Sequence, residues 1–120
     1  MTKGIFTNGL MTCKASAAIM RGQLLKVASD GTVAPCAATD DEATHIALDD
    51  AASGERIACA VLGNAMGTQL VLATAALSPG DHVNPLGAVA EEGDVTVGRA
   101  LEGAAAGELV NTAHAAARTL

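Results

Sequence analysis

Ala47-Leu48-Asp49-Asp50-Ala51-Ala52-Ser53-Gly54-Glu55-Arg56-Ile57 returns later in the chain as Ala100-Leu101-Glu102-Gly103-Ala104-Ala105-Ala106-Gly107-Glu108-Leu109-Val110. A second unit precedes each: Ala17-Ala18-Ile19-Met20-Arg21-Gly22-Gln23-Leu24-Leu25 matches Ala75-Ala76-Leu77-Ser78-Pro79-Gly80-Asp81-His82-Val83. The order is kept, and the offset drifts from 58 at Gly22 and Gly80 to 53 at Gly54 and Gly107, so the halves differ by a short loop. Each half has a small-residue approach, a Gly turn, a strand, a strand ending in Ala-Leu-acid or Arg-Ala-Leu-acid, a loop, Gly-Glu and a closing strand.

Runs such as Gln23–Val27, Arg56–Val61 and Asp94–Val97 are short and β-branched or apolar, and the 13 glycines interrupt any long helix at about 1 kcal/mol each. Asn8-Gly9 and Asp30-Gly31 are hairpin signals, because Gly accepts the positive φ of tight primed turns. The expected fold is all-β: a small barrel or sandwich built from two similar halves, about 17–63 and 75–114, within one domain over 17–120. An extended N-terminal arm is expected over 1–16. Gly22, Gly54, Gly80 and Gly107 are the expected structural turns. The Ala-rich end from Thr112 to Leu120 reads as a short helical turn or a tail.

The chain has 120 residues, half of them hydrophobic, yet Phe6 is its one aromatic residue. Its core must therefore use Ala, Val, Leu, Ile and Met, which bury little area each, and part of its stability is expected to come from partner surfaces. Lys3, Lys14, Arg21 and Lys26 precede the first acid, Asp30, so the first 29 residues carry +4 of a net charge of −6 and the remainder carries −10. An acidic body without stacking aromatics argues against nucleic-acid binding.

Cys13, Cys36 and Cys59 are an odd count with no short spacing and predict free thiols. The uncharged stretch Ile57–Gly80 is interrupted by Gly63, Asn64, Gly67, Thr68 and Gln69, so it reads as two apolar strands, Ile57–Leu62 and Gln69–Ala73, and no membrane segment is expected. No secretory signal is expected either, and synthesis in a reducing cytoplasm follows.

Taken in order, Ala17–Leu25, Ile46–Glu55, Ala60–Gly63, Ala75–Val83 and Gly98–Val110 resemble the small capsid cement or head decoration proteins of tailed phages, over most of the chain from Ala17 to Val110. The resemblance implies a β-rich body assembled as a homotrimer on the outer surface of a virion, bound to the major capsid protein and stabilising the head. It also implies an N-terminal segment that reaches onto the shell or a neighbour. The segment before Ala17 departs most from the family pattern. It carries the residues expected at the capsid or subunit interface: Lys3, Ile5, Phe6, Leu10, Met11 and Lys14, with Arg21 just beyond.

No cofactor or metal is expected. There is no phosphate-binding GxxxxGK[ST] and no GxGxxG after a strand, so an ATP-driven recombinase is excluded. His45, His82 and His114 and the three cysteines stand singly, without the two-to-four-residue spacing of zinc ligands. Asp40-Asp41-Glu42, Asp49-Asp50 and Glu91-Glu92 lack a calcium-loop pattern and read as solvated loops. No enzyme is expected. The alternatives are a free-standing small-ligand or metal-binding β-barrel, which needs convergent polar groups in a pocket, and a thiol enzyme, which needs an activated cysteine.

Overall fold

A computed structural model describes residues 9–120, and all regular structure among them is β. The strands are β1 (Leu10–Lys14), β2 (Leu24–Val27), β3 (Val33–Pro35), β4 (His45–Ala47), β5 (Arg56–Val61), β6 (Gln69–Leu72), β7 (Val95–Ala100) and β8 (Leu109–Thr119). They form two antiparallel sheets, a five-stranded one in the order β1-β5-β4-β2-β3 and a three-stranded one in the order β6-β8-β7. Neither sheet closes on itself, so the architecture is a sandwich and not a barrel. Among the described residues no helix is long and apolar enough to cross a membrane.

The repeat exists as backbone bonds. Ala15 N–H donates to the Glu55 carbonyl at 2.8 Å, as Ala73 does to Glu108 at 2.9 Å. Gly54 donates back to Ala15 at 2.8 Å and Gly107 to Ala73 at 2.7 Å. Ile19 donates to Ala51 as Leu77 donates to Ala104, and Gly22 to Ala47 as Gly80 to Ala100. The glycines carry the same dihedrals, φ 87° and 88° at Gly22 and Gly80, and 89° at both Gly54 and Gly107. The Glu after each Gly closes its turn: Glu55 accepts from Ala52 N–H, and Glu108 from Ala105 N–H, both at 2.6 Å. Asp30-Gly31 makes the β2–β3 hairpin, with Gly31 at φ 84°.

The equivalence extends into the registers. Cys13 faces Ile57 as Val71 faces Val110, and Ala47 faces Cys59 as Ala100 faces Thr112. Strand β1 is thus the counterpart of β6, and β5 of β8. The pairing of Leu24 with Ile46 is reduced in the second half to a single bridge, His82 with Arg99, and that of Leu25 with Pro35 to Val83 with Val89.

Two sequence expectations differ from this structure. The described part of the expected arm is not extended away from the body: Leu10–Lys14 pairs along its whole length with β5. It alternates exposed Leu10, Thr12 and Lys14 with half-buried Met11 and buried Cys13, a weak version of the half-buried strand pattern. The Ala-rich end is strand β8, since β6 and β7 occupy its two edges and their ladders override the helical preference of Ala. Residues 1–8, with Lys3, Ile5, Phe6 and the Asn8 of the expected Asn8-Gly9 turn, lie outside the described residues.

The core has two parts. One, within the first half, gathers Cys13, Ala15, Ile19, Leu25, Val33, Ala47, Ile57 and Cys59. The other joins the halves: Leu24, Ala43, Ile46 and Leu62 from the first pack with Val71, Leu77, Val83, Val97 and Val110 from the second. Adjacent residues Leu24 and Leu25, or Ile46 and Ala47, point to opposite faces of the first sheet, so that sheet is buried on both sides at β2 and β4, while β1 and β5 keep one face in solvent.

Candidate functional site

The solvent face of β1 and β5 carries the site residues that the structure does bring together. Leu10, Thr12 and Lys14 are exposed on β1, and Arg56 and Ala58 on β5. Lys14 stands directly opposite Arg56 in the ladder, and Thr12 opposite Ala58. Like charges in this position repel across the strands. Neither cation forms a close ion pair among the described residues, where Lys26–Asp41 at 3.3 Å is the ion pair formed, although the Lys14 ammonium is near enough to help hold the Asp30 carboxyl down. A lysine on an edge strand, here with Arg56 beside it, discourages strand addition by unrelated chains.

Met11 points the other way. It packs on the first-half core, with its Sδ 3.1 Å from His45 Nε2, while Thr44 Oγ1 lies 2.7 Å from His45 Nδ1. Burial holds the His45 imidazole below its ordinary value. Arg21 is exposed in the turn before Gly22, and its backbone N–H donates to Asp50 Oδ1 at 2.8 Å. Of the residues expected at an interface, then, Leu10 and Lys14 share one surface with each other and with Arg56. Met11 serves the core, and Arg21 belongs to a separate turn. Sequence reasoning passed over Arg56, although its place in the repeat, opposite a Leu at 109, marked it as a position where the halves diverge from apolar to charged.

A second surface is the crevice between the halves, about 320 Å³, lined by Gln23, Leu24, Pro35 and Cys36 from the first half and Leu72, Thr74, Pro85, Leu86 and Gly87 from the second. Its lining is mostly apolar, and among the described residues Gln23 and Thr74 are its polar side chains besides the Cys36 thiol. Burial, with the Asp41 carboxylate adding to it, pushes that thiol up to about 11. The Cys59 thiol is pushed to about 12 by burial and by neighbouring Cys13. Both stay protonated at neutral pH, the opposite of an activated nucleophile. All three cysteines are free. Among the described residues no three His, Cys, Asp or Glu side chains gather as metal ligands would.

What the geometry defines is a class: an all-β sandwich made by tandem repetition, with exposed cations at one end and no constellation of three metal-ligating side chains among its described residues. No protein-family model matches the chain, and no curated protein does. Among solved structures it is similar to the N base of head fiber gp8.5 of bacteriophage phi29, with a TM-score of 0.67 and 19% identity over 86% of this chain and 90% of that one. The likeness spans nearly the whole of both chains, so the shared fold is the entire repeated sandwich and not one sheet of it.

Proposed function

We propose that the protein is a structural component of a phage head: a decoration or cement protein that binds the outer capsid surface through the major capsid protein, as a homotrimer, and stabilises the shell. The observation that carries the reading is the match of its fold, over 86% of this chain and 90% of the other, to the N base of a phage head fiber. The order of the repeat motifs, which resembles head decoration proteins, agrees with it. The N-terminal segment supplies the capsid contact, with Lys3 steering it and Ile5 and Phe6 supplying burial, and β1 holds that segment to the body through Leu10. Many copies making modest contacts on a repeating shell add up without a strong single site.

The test is co-sedimentation with heads of the phage whose genome encodes the chain, lacking their own decoration protein. Full-length protein should pellet with heads and raise their resistance to heat. A Lys3→Ala, Ile5→Ala, Phe6→Ala variant should remain folded and stay in the supernatant. Equal pelleting of the variant would move the contact to the body, and no pelleting of the full chain would refute capsid binding.

A further inference from the structure

The repeat offers an internal comparison for one face of the second sheet. His82, Arg99 and Ala113 stand side by side across it, His82 bridged to Arg99 and Arg99 opposite Ala113, as Leu24, Ile46 and Ala60 stand in the first half. In the first half that face is core, with Leu24 and Ile46 packed against residues of the second half. Its counterpart on β7 and β8 is open to solvent, and the leucine and isoleucine have become a histidine and an arginine.

An open face calls for polar residues, but an acidic chain has more acids than bases to place there. Residues 27–120 hold all 13 acids and just three Lys or Arg, namely Arg56, Arg99 and Arg118. Two of those three, Arg99 and Arg118, line a single hollow of about 210 Å³ together with His82 and Thr96. Small residues such as Gly98, Ala113 and Ala115 leave it unfilled, and among the described residues no carboxylate lines it. Neither arginine forms a close ion pair among the described residues. The acids nearest in sequence are engaged by backbone N–H groups: Asp81 accepts from Ser78 at 2.8 Å, Asp94 from Glu91 at 3.0 Å and Glu102 from Asn111 at 3.1 Å.

The backbone is irregular at the place that gathers these side chains. Thr96 and Arg99 are three apart on β7, and regular alternation would put them on opposite faces. Between Thr96 and Gly98 the pairing shifts from Arg118 to His114, so two steps of β7 meet four of β8. Gly98 permits this with its φ of 138°, and the Ala113 carbonyl fills the place a Cβ would take. As a result Val97, Ala100 and Ala117 all pack in or on the core, while Thr96, Arg99 and Arg118 all reach the hollow. Thr96 is buried and tied down, its Oγ1 3.2 Å from His82 Nδ1 and donating to the Gly98 carbonyl at 3.1 Å. Bulges re-aim side chains in this way beside functional sites.

We propose that this hollow binds one dianionic oxyanion of the phosphate class, free or as a monoester, between the Arg99 and Arg118 guanidiniums. Each guanidinium presents a planar fork of donors that matches two oxygens of such a group. A phosphate carries about −1.5 to −2 at neutral pH and offsets both cations, whereas one carboxylate offsets only one. The site belongs to the second half and does not rest on the capsid contact assigned above to the N-terminal segment.

NMR titration of the full chain at constant ionic strength tests it. Inorganic phosphate should shift the Thr96, Gly98, Arg99 and Arg118 signals to saturation, and acetate should bind about tenfold more weakly or less. Arg99→Gln and Arg118→Gln should each weaken phosphate binding by about tenfold or more with the circular dichroism spectrum unchanged. Ala115→Leu keeps both charges but fills the hollow, and should weaken it as much. Arg56→Gln, which removes a cation from the other sheet, should bind like the parent. Tighter binding of glycerol 3-phosphate than of phosphate would make the ligand a monoester and the reverse would make it the free ion, and either sustains the site. Phosphate shifts that do not saturate, acetate binding as tight as phosphate binding, or undiminished binding in both arginine variants would each overturn the proposal. These titrations contain no heads, so their failure would leave the capsid reading standing, and failure to pellet with heads would leave this site standing.

Discussion

Gly98 shows how tightly single residues are fixed here. It follows the bulge in β7 with φ 138°, and a Cβ would run into the Ala113 carbonyl and approach His114 Cα at 2.8 Å. Gly98→Ala should therefore destabilise by on the order of 3 kcal/mol, while Gly93→Ala, with φ 94° in open space, should cost only about 1–2 kcal/mol, as chemical denaturation would show. Titratable groups act at the same scale. His45 is buried with its pKa lowered, so the unfolded chain takes up a proton before the folded one does, and stability should decline as pH falls below 6.5. Asp41 is held down by N–H bonds from Ala37 at 2.7 Å and Ala38 at 2.9 Å and by the Lys26 ammonium, and Asp30 by Thr32. Their contribution is present above 3.8 and lost as pH falls further through their lowered values, a second and separate decline. Replacing His45 with Gln should remove the first decline and leave the second, read as melting temperature against pH.

At the scale of elements, the turns were legible in the sequence and the first and last strands of the chain, β1 and β8, were not. Gly54-Glu55 and Gly107-Glu108 stand out because a positive φ needs Gly and the preceding N–H groups need an acceptor three residues on, so chemistry restricts the residue types. The same restriction makes the two turns energetically alike: Glu55→Ala and Glu108→Ala should each cost about 0.5–1.5 kcal/mol in urea unfolding and should add in the double variant. Strand β1 escaped because Leu-Met-Thr-Cys-Lys and its counterpart Gln-Leu-Val-Leu share only position, one facing solvent and the other facing the first half. Strand β8 escaped because Ala at 113 and 115–117 prefers a helix in isolation, and only the neighbouring ladders of β6 and β7 decide otherwise. Truncation to residue 12 would delete the pairings of Leu10, Met11 and Thr12 with β5, so it should lower stability by roughly 2 kcal/mol rather than merely remove an appendage.

For the whole molecule, the tandem organisation was legible because matched turns preserve order, whereas the way one half sits on the other was not, since it depends on Leu24, Ile46, Leu72 and Leu109, whose counterparts are charged or polar. The candidate site follows the same division: Lys14 could be singled out by its charge, but its partner Arg56 came into view only with the register of β1 and β5. The split core also has a consequence for the order of events on the ribosome. All strands of the first sheet lie before residue 62, so that sheet can pair while the second half is still in the exit tunnel, but Leu24, Ala43, Ile46 and Leu62 stay wet until β8 is released. The nascent first half is thus a sticky intermediate for which the later half is the built-in cover, and slow translation beyond residue 65 should favour its capture by chaperones or its aggregation.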